Sequence, residues 1–162
     1  MRHAKSSWKY PHLSDFERPL NKRGYVSAEN LGKWMRYESL MPDEVLISSS
    51  RRTIETFDEL RLKQTPKMFQ LLYMAGPKEM FNVLSEATKQ RVLMISHNPG
   101  IAEFARMLIS QFPAHARFVD YPTGATLVMS FEQKKWSEIS YQSGQLIHFV
   151  TPRELTKEVL LP

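Results

Sequence analysis

Two rhythms of apolar positions alternate along this chain. Short solid runs, Val45-Leu46-Ile47 after Glu44 and Val92-Leu93-Met94-Ile95 between Arg91 and Ser96, read as strands covered on both faces. Lys67-Met68-Phe69-Gln70 is a third candidate strand. Between these runs the period changes. Ile101, Phe104, Ala105, Leu108 and Ile109 fall at i, i+3, i+4, i+7 and i+8, one stripe of a helix, and Pro99 suits its first turn because the N–H it lacks is not needed there. Helices are also expected over 50–62 and 77–87, and Asn21 is placed to cap another that runs to Tyr37 with Ala28, Leu31 and Met35 inward. Late in the chain, 125–131, 136–141 and 145–150 read as strands, separated by Glu132-Gln133-Lys134 and Gln142-Ser143-Gly144.

The alternation predicts an α/β fold: one domain over 1–162, three layers, with a mostly parallel central sheet between helices. No repeat, low-complexity tract or linker interrupts it. Residues 4–20 are different. They are polar, carry Pro11 and Pro19, and read as a loop long enough to expect a function. In parallel sheets ligands bind beyond the carboxyl ends of the strands. His3, the Ser48 to Arg52 turn and His97 all sit just past such ends, which predicts that they share one rim.

Composition narrows the classes. Hydrophobic residues make up 42% and charged residues 24% of 162, the balance of a globular domain with a sizeable core. No apolar stretch approaches the roughly 20 residues of a membrane helix, and the N-terminus has no apolar signal region. There is no cysteine, hence no disulfide, thiolate metal site or cysteine nucleophile. These features favour the cytoplasm. The net charge of +5 suits an anionic partner, but the basic residues are scattered and no nucleic-acid-binding signature accompanies them. Neither nucleic acid nor membrane is expected as a partner. Nothing demands a dimer, and a monomer is expected.

The residue types on the predicted rim suit a phosphoryl group. Arg2 and Arg52 offer permanently charged planar forks for phosphate oxygens. A neutral imidazole attacks phosphorus and forms a phosphohistidine that water later hydrolyses; a second, if protonated, clamps the oxygens. The helix after His97 points its N-terminal N–H groups toward the same place. Two arginines and a histidine already supply positive charge, so no metal or other cofactor is required. Taken singly, each feature is as readily a surface pair, a turn histidine or a helix start. Their convergence on one edge is what distinguishes them.

Those residues also carry a resemblance. Arg2-His3-Ala4-Lys5-Ser6-Ser7-Trp8, the 15–24 stretch containing Arg18-Pro19-Leu20-Asn21, Val45-Leu46-Ile47-Ser48 leading to Arg52 and Glu55-Thr56, Leu72-Tyr73, 92–100 and Pro122-Thr123-Gly124-Ala125 together resemble the histidine phosphatase superfamily. The branch they resemble is the small SixA-type phosphohistidine phosphatases. The resemblance implies a phosphoglycerate mutase-like fold, with His3 as the phosphorylated nucleophile and Arg2, Arg52 and His97 holding the phosphoryl oxygens. Arg52 is chosen over Arg51 because it lies four residues after Ser48, which leaves Arg51 to the surface. Arg18, Ser6 and Asn98 are expected to contact substrate, Arg18 with an equal claim to holding the loop. Trp8 is expected to anchor the loop. His12, His115 and His148 match nothing catalytic.

Two departures from the family pattern shape the expectation. Relatives have a complete strand before the arginine–histidine pair, whereas here Met1 stands at its end. The first strand is therefore expected to be truncated, and the natural chain to begin several residues upstream. Many relatives also place a leaving-group acid where this chain has Met74, with Glu79 the nearest carboxylate in sequence. A phosphoramidate needs less acid assistance than an alkyl phosphate. Two readings follow: a metal-independent phosphatase acting through His3 on phosphohistidine in a protein or on a small phosphoester, or a phosphate-binding module with little turnover.

Overall fold

The computed structural model describes residues 1–158. Asn21 accepts the Gly24 N–H at 2.9 Å and so starts α1, Lys22–Tyr37, whose inner face buries Ala28, Leu31 and Met35 together with Trp34. Then follow β1 (Glu44–Ser48), α2 (Arg51–Leu60), β2 (Lys67–Phe69), α3 (Pro77–Ser85), β3 (Val92–Ile95) and α4 (Gly100–Leu108). The last elements are β4 (Thr126–Ser130), β5 (Gln145–Val150) and α5 (Pro152–Glu158). None of the helices is long and apolar enough to cross a membrane, among the described residues.

Strands β2, β1 and β3 form a parallel sheet in that order, with Val45 opposite Leu93 and Ile47 opposite Met68. β1 is buried along its whole length, as its unbroken apolar run requires. One face packs Val45, Ile47, Leu93 and Ile95 against Leu31 and Trp34 of α1, Leu60 of α2 and Leu155 of α5. The other packs Leu46 and Met94 against Met80 of α3 and Ile101, Phe104 and Leu108 of α4. The three-layer expectation holds, with one addition: β4 and β5 pair antiparallel as a separate two-stranded sheet.

The N-terminal residues sit where the two sheets approach. Arg2 makes one parallel bridge with Ser96, through Ser96 N–H to Met1 O at 3.2 Å and His3 N–H to Ser96 O at 3.0 Å. On the other side Arg2 N–H reaches Ala125 O at 2.9 Å and Gly124 N–H reaches His3 O at 3.0 Å. Residues 1–3 are thus clamped from both sides, and His3 is held by backbone bonds.

Two segments depart from expectation. Residues 136–141 are not a strand; Trp136–Glu138 form a 3₁₀ turn. Their apolar spacing explains it, because Trp136 and Ile139 lie three apart, the period of such a turn. Trp136 donates its indole N–H to Lys89 O at 2.7 Å while Ile139 is buried. Helix α5 had no counterpart in the sequence reading. Its start is a capping arrangement, with Thr151 N–H and Oγ1 both donating to Glu154 at 2.7 and 2.8 Å and Pro152 in the first turn.

The α1–α2 packing depends on Gly32, where a Cβ would stand 2.2 Å from Leu60 O. Gly32→Ala should therefore lower stability by about 1–3 kcal/mol through overpacking, measured as a drop in the urea midpoint. An unchanged midpoint would show that the helices separate freely.

Candidate active site

The carboxyl rim of the parallel sheet holds a cavity of about 310 Å³. Every site residue singled out from the sequence lines it: Arg2, His3, Ser6, Arg18, Arg52, His97 and Asn98. Each arrives on a different support. Arg2 and His3 come from the clamped N-terminal residues, Ser6 and Arg18 from the long loop, Arg52 from the first turn of α2, and His97 and Asn98 from the turn between β3 and α4. Lys5, Trp8, Asp15, Met74 and Thr123 complete the wall.

The orientation of His3 follows from its partners. His3 Nδ1 lies 2.7 Å from Ala4 O, which only accepts, so Nδ1 carries the proton. Nε2 is left with its lone pair and accepts from Arg52 Nε at 3.3 Å. Burial, with Arg52 and Arg2 repelling a further positive charge, pushes His3 down to about 3 although the Ala4 bond opposes it. The ring is therefore neutral near neutral pH, the form that attacks phosphorus.

His97 lies 5.0 Å from His3, centroid to centroid. Its Nδ1 accepts from Arg52 Nη2 at 3.1 Å, so Nε2 carries the proton toward Ser48 Oγ at 2.8 Å, with Ser50 Oγ at 3.4 Å. Burial first, then His3 and Arg52, lower His97 to about 2. The protonated clamp imagined from the sequence is corrected here: His97 is neutral, because two serines and a guanidinium use both its nitrogens. Charge comes from the arginines instead.

Arg52 is almost wholly enclosed. Besides the two imidazoles, it donates to Asp15 Oδ2 at 2.9 Å and to the Asp15 backbone carbonyl. Asp15 Oδ1 accepts from Arg18 Nη1 at 2.8 Å, and Tyr73 donates its hydroxyl to Oδ2 at 2.8 Å. Partial burial would raise the Asp15 carboxyl, but Tyr73, Arg52 and Arg18 hold it below its ordinary range. Asp15 is thus an ionised carboxylate seated where an oxyanion would meet Arg52. Sequence reading assigned it no role, since nothing local to residue 15 reports a partner 37 positions away.

Arg18 spends its donors on the loop: Nε to Ser7 O at 3.0 Å, Nη2 to Ser6 Oγ at 2.7 Å and Nη1 to Asp15, with its guanidinium 3.2 Å over the Trp8 ring. The loop-holding alternative for Arg18 is what this geometry carries, and Ser6 is its partner. Trp8 anchors the loop through that stack and also lines the cavity, while remaining 80% exposed. Arg2 donates Nη1 to Tyr121 O at 3.0 Å, whereas its Nε is buried with no hydrogen-bond partner among the described residues. Asn98 donates to Tyr121 O and Asp120 O, leaving a buried Oδ1 without a partner.

The residues set aside lie outside the cavity. Arg51 pairs with Glu55 at 2.7 Å on the surface, His115 pairs with Glu154, and His148 packs edge-on to Trp34. His12 is exposed beside Tyr10. Glu79 caps α3 by accepting Gly76 N–H at 3.1 Å and stays away from the cavity. Met74 does line it, and the carboxylate of the wall is Asp15.

No family model matches the chain. An uncharacterized protein from Mycobacterium leprae is 30% identical over 164 residues, covering 94% of this chain and 100% of that one. A candidate phosphohistidine phosphatase SixA from Nakamurella multipartitia superposes with TM-score 0.81 at 22% identity, over 94% of this chain and 93% of that one. A protein histidine phosphatase SixA, solved with tungstate bound, gives TM-score 0.72 at 21% identity over 96% of each chain.

The neutral imidazoles make stability pH-dependent. Unfolded histidines take a proton near pH 6.5, whereas folded His3 and His97 refuse it until about 3 and about 2. Between those values the unfolded state binds more protons, so stability is full above about 6.5 and falls as pH falls. Urea midpoints of the native chain should drop between pH 7 and 4, with a shallower slope in His97→Asn; parallel slopes would refute the assignment. Asp15→Asn removes the internal anion, so tungstate should bind roughly tenfold more tightly, the scale of one charge-assisted hydrogen bond. Calorimetry showing equal or weaker binding would place the oxyanion elsewhere.

Proposed function

We propose that this chain, which belongs to one family with the Mycobacterium leprae protein and by its fold to the histidine phosphatase superfamily, is a phosphatase working through a covalent phosphohistidine on His3. The observation that carries the reading is the His3 tautomer: Nδ1–H donates to Ala4 O and the unprotonated Nε2 faces the cavity beside Arg52. A phosphoryl group entering the cavity engages Arg2 Nε and Arg52, the latter exchanging part of its contact with Asp15 for the substrate oxygens. The Nε2 lone pair then attacks phosphorus, and the bond from phosphorus to the leaving atom breaks in line. The leaving group departs with the electron pair and takes a proton from solvent water. Water attacks the phosphohistidine, returns His3 to its neutral form and releases inorganic phosphate. The guanidinium groups stabilise charge spread over the equatorial oxygens without a proton changing hands.

The substrate class follows from what surrounds that nitrogen. Asp15 is held ionised, so it is a poor proton donor, and Met74 donates none. A phosphoramidate such as phosphohistidine fits best, because its imidazole leaves with little help. The mouth of the cavity, with exposed Trp8, Lys5 and Met74, suits a phosphorylated side chain on a protein surface, and a small phosphoester remains a substrate of the same site. One domain acting alone in the cytoplasm completes the reading.

Hydrolysis of a chromogenic aryl phosphate in the presence of chelator tests it. The native chain should turn over, His3→Ala should lose at least ~10³-fold, the scale for removing a covalent nucleophile, and a trapped phosphoenzyme should be acid-labile and alkali-stable. Turnover surviving His3→Ala refutes the mechanism. Tungstate binding without any turnover assigns the cavity to a phosphate-binding module.

A further inference from the structure

Tyr121 holds a backbone conformation that its own Cβ opposes. Its φ is 42°, in the left-handed region where a side chain crowds the following carbonyl. Pro122 comes next, and the residue before a proline favours extended backbone at negative φ. Tyr121 also closes a turn, its N–H reaching Arg117 O at 3.1 Å, a position that glycine would fill without cost. The chain has a tyrosine there instead, and it is 1% exposed. Its ring centroid lies 5.5 Å from that of Phe149 in β5 and 6.1 Å from that of Phe118, and its hydroxyl is bonded to the Leu127 backbone of β4. The ring is thus the anchor that keeps the residue in this conformation. Strained backbone that its surroundings hold so firmly points to a task for the group it places.

The group it places is the carbonyl. Tyr121 O accepts Arg2 Nη1 at 3.0 Å and Asn98 Nδ2 at 3.1 Å, so one atom ties two walls of the cavity together. The two donors depend on it unequally. Asn98 has a second acceptor in Asp120 O at 3.3 Å. Arg52, across the cavity, is held by two imidazoles, a carboxylate and a carbonyl. The Arg2 guanidinium has Tyr121 O alone among the described residues. Burial disfavours its charge, Asp120 opposes that, and Arg52 adds repulsion. A guanidinium beside a like charge keeps its place only if something holds it, and because it is planar, fixing Nη1 restricts where its other donors lie.

We infer that Tyr121 is a positioning residue, whose buried ring holds the strained backbone and thereby the carbonyl that orients Arg2 beside His3. The inference rests on the reading that Arg2 engages the phosphoryl oxygens. Glycine at this position would keep the turn and lose the anchor. The carbonyl would then move, and Arg2 with it.

Three variants separate conformation from anchorage. Tyr121→Phe keeps the ring, Tyr121→Gly keeps the turn without the ring, and Phe149→Leu loosens the ring without touching residue 121. The first readout needs no ligand: hydrogen exchange of the Arg2 Nε–H, followed by NMR in isotope-labelled protein. Exchange should be at least ~10-fold faster than native in Tyr121→Gly and Phe149→Leu, and within about twofold of native in Tyr121→Phe. The second readout is tungstate affinity by calorimetry. Tyr121→Gly should bind roughly tenfold more weakly, the scale of one charge-assisted hydrogen bond. In an Arg2→Ala background the same substitution should change affinity by less than about twofold, because the contact it acts through is gone. Equal losses with and without Arg2 mark a merely structural role and overturn the inference. So does native Arg2 exchange in both Tyr121→Gly and Phe149→Leu. If Tyr121→Gly fails to fold, Phe149→Leu carries both readouts. A native chain that binds no tungstate refutes the reading of the cavity, and Arg2 exchange then decides the role of Tyr121.

Discussion

The guanidinium of Arg52 is the point through which the rest of this site is organised. It is buried, and a buried charge persists only when its hydrogen-bonding capacity is nearly saturated. Here two imidazole lone pairs, a carboxylate and a backbone carbonyl take four of its five N–H donors. Each of those contacts has a second effect. Donation into His3 Nε2 and His97 Nδ1 selects the tautomer of both rings, and the guanidinium's charge disfavours their protonation. One residue therefore sets the nucleophile's lone pair, keeps the neighbouring imidazole neutral and pins the long loop across the cavity through Asp15.

That arrangement carries a conflict. Asp15 compensates Arg52, yet the proposed phosphoryl substrate calls on the same donors. The carboxylate is half exposed and also tied to Arg18 and Tyr73, so it can yield part of its bond to Arg52 without losing its place. Arg18, stacked on Trp8 and bonded to Ser6 and Ser7, keeps the loop folded while this happens. Arg2 Nε is buried without a hydrogen-bond partner among the described residues. On the proposed reading, binding exchanges one anion for another around a fixed guanidinium, which costs less than charging an apolar pocket.

Rigidity behind the site comes from the backbone. His3 has both its N–H and C=O engaged, to Ser96 and Gly124, which belong to the segments ending β3 and leading into β4. The tripeptide at the N-terminus joins two sheets and presents the nucleophile with the same bonds.

Much of this was legible along the chain. Val92–Ile95 and the stripe from Ile101 to Ile109 announced a buried strand and the helix after it, because period and burial are local properties of a sequence. The same logic placed Arg2, His3, Arg52 and His97 on one rim, since parallel strands must end on one edge. Period two was read into 136–141 where the spacing of Trp136 and Ile139 was three, and the Thr151 to Glu154 cap passed unnoticed. Other features have no local signature at all. That Asp15 sits on Arg52, that His97 stays neutral, and that Arg18 is bonded to Ser6, Ser7 and Asp15 depend on which distant groups share a desolvated space. The sequence determined the elements and the chemical types on the rim; only the tertiary structure decided protonation and pairing, because both are set by burial and by distances between residues far apart in the chain.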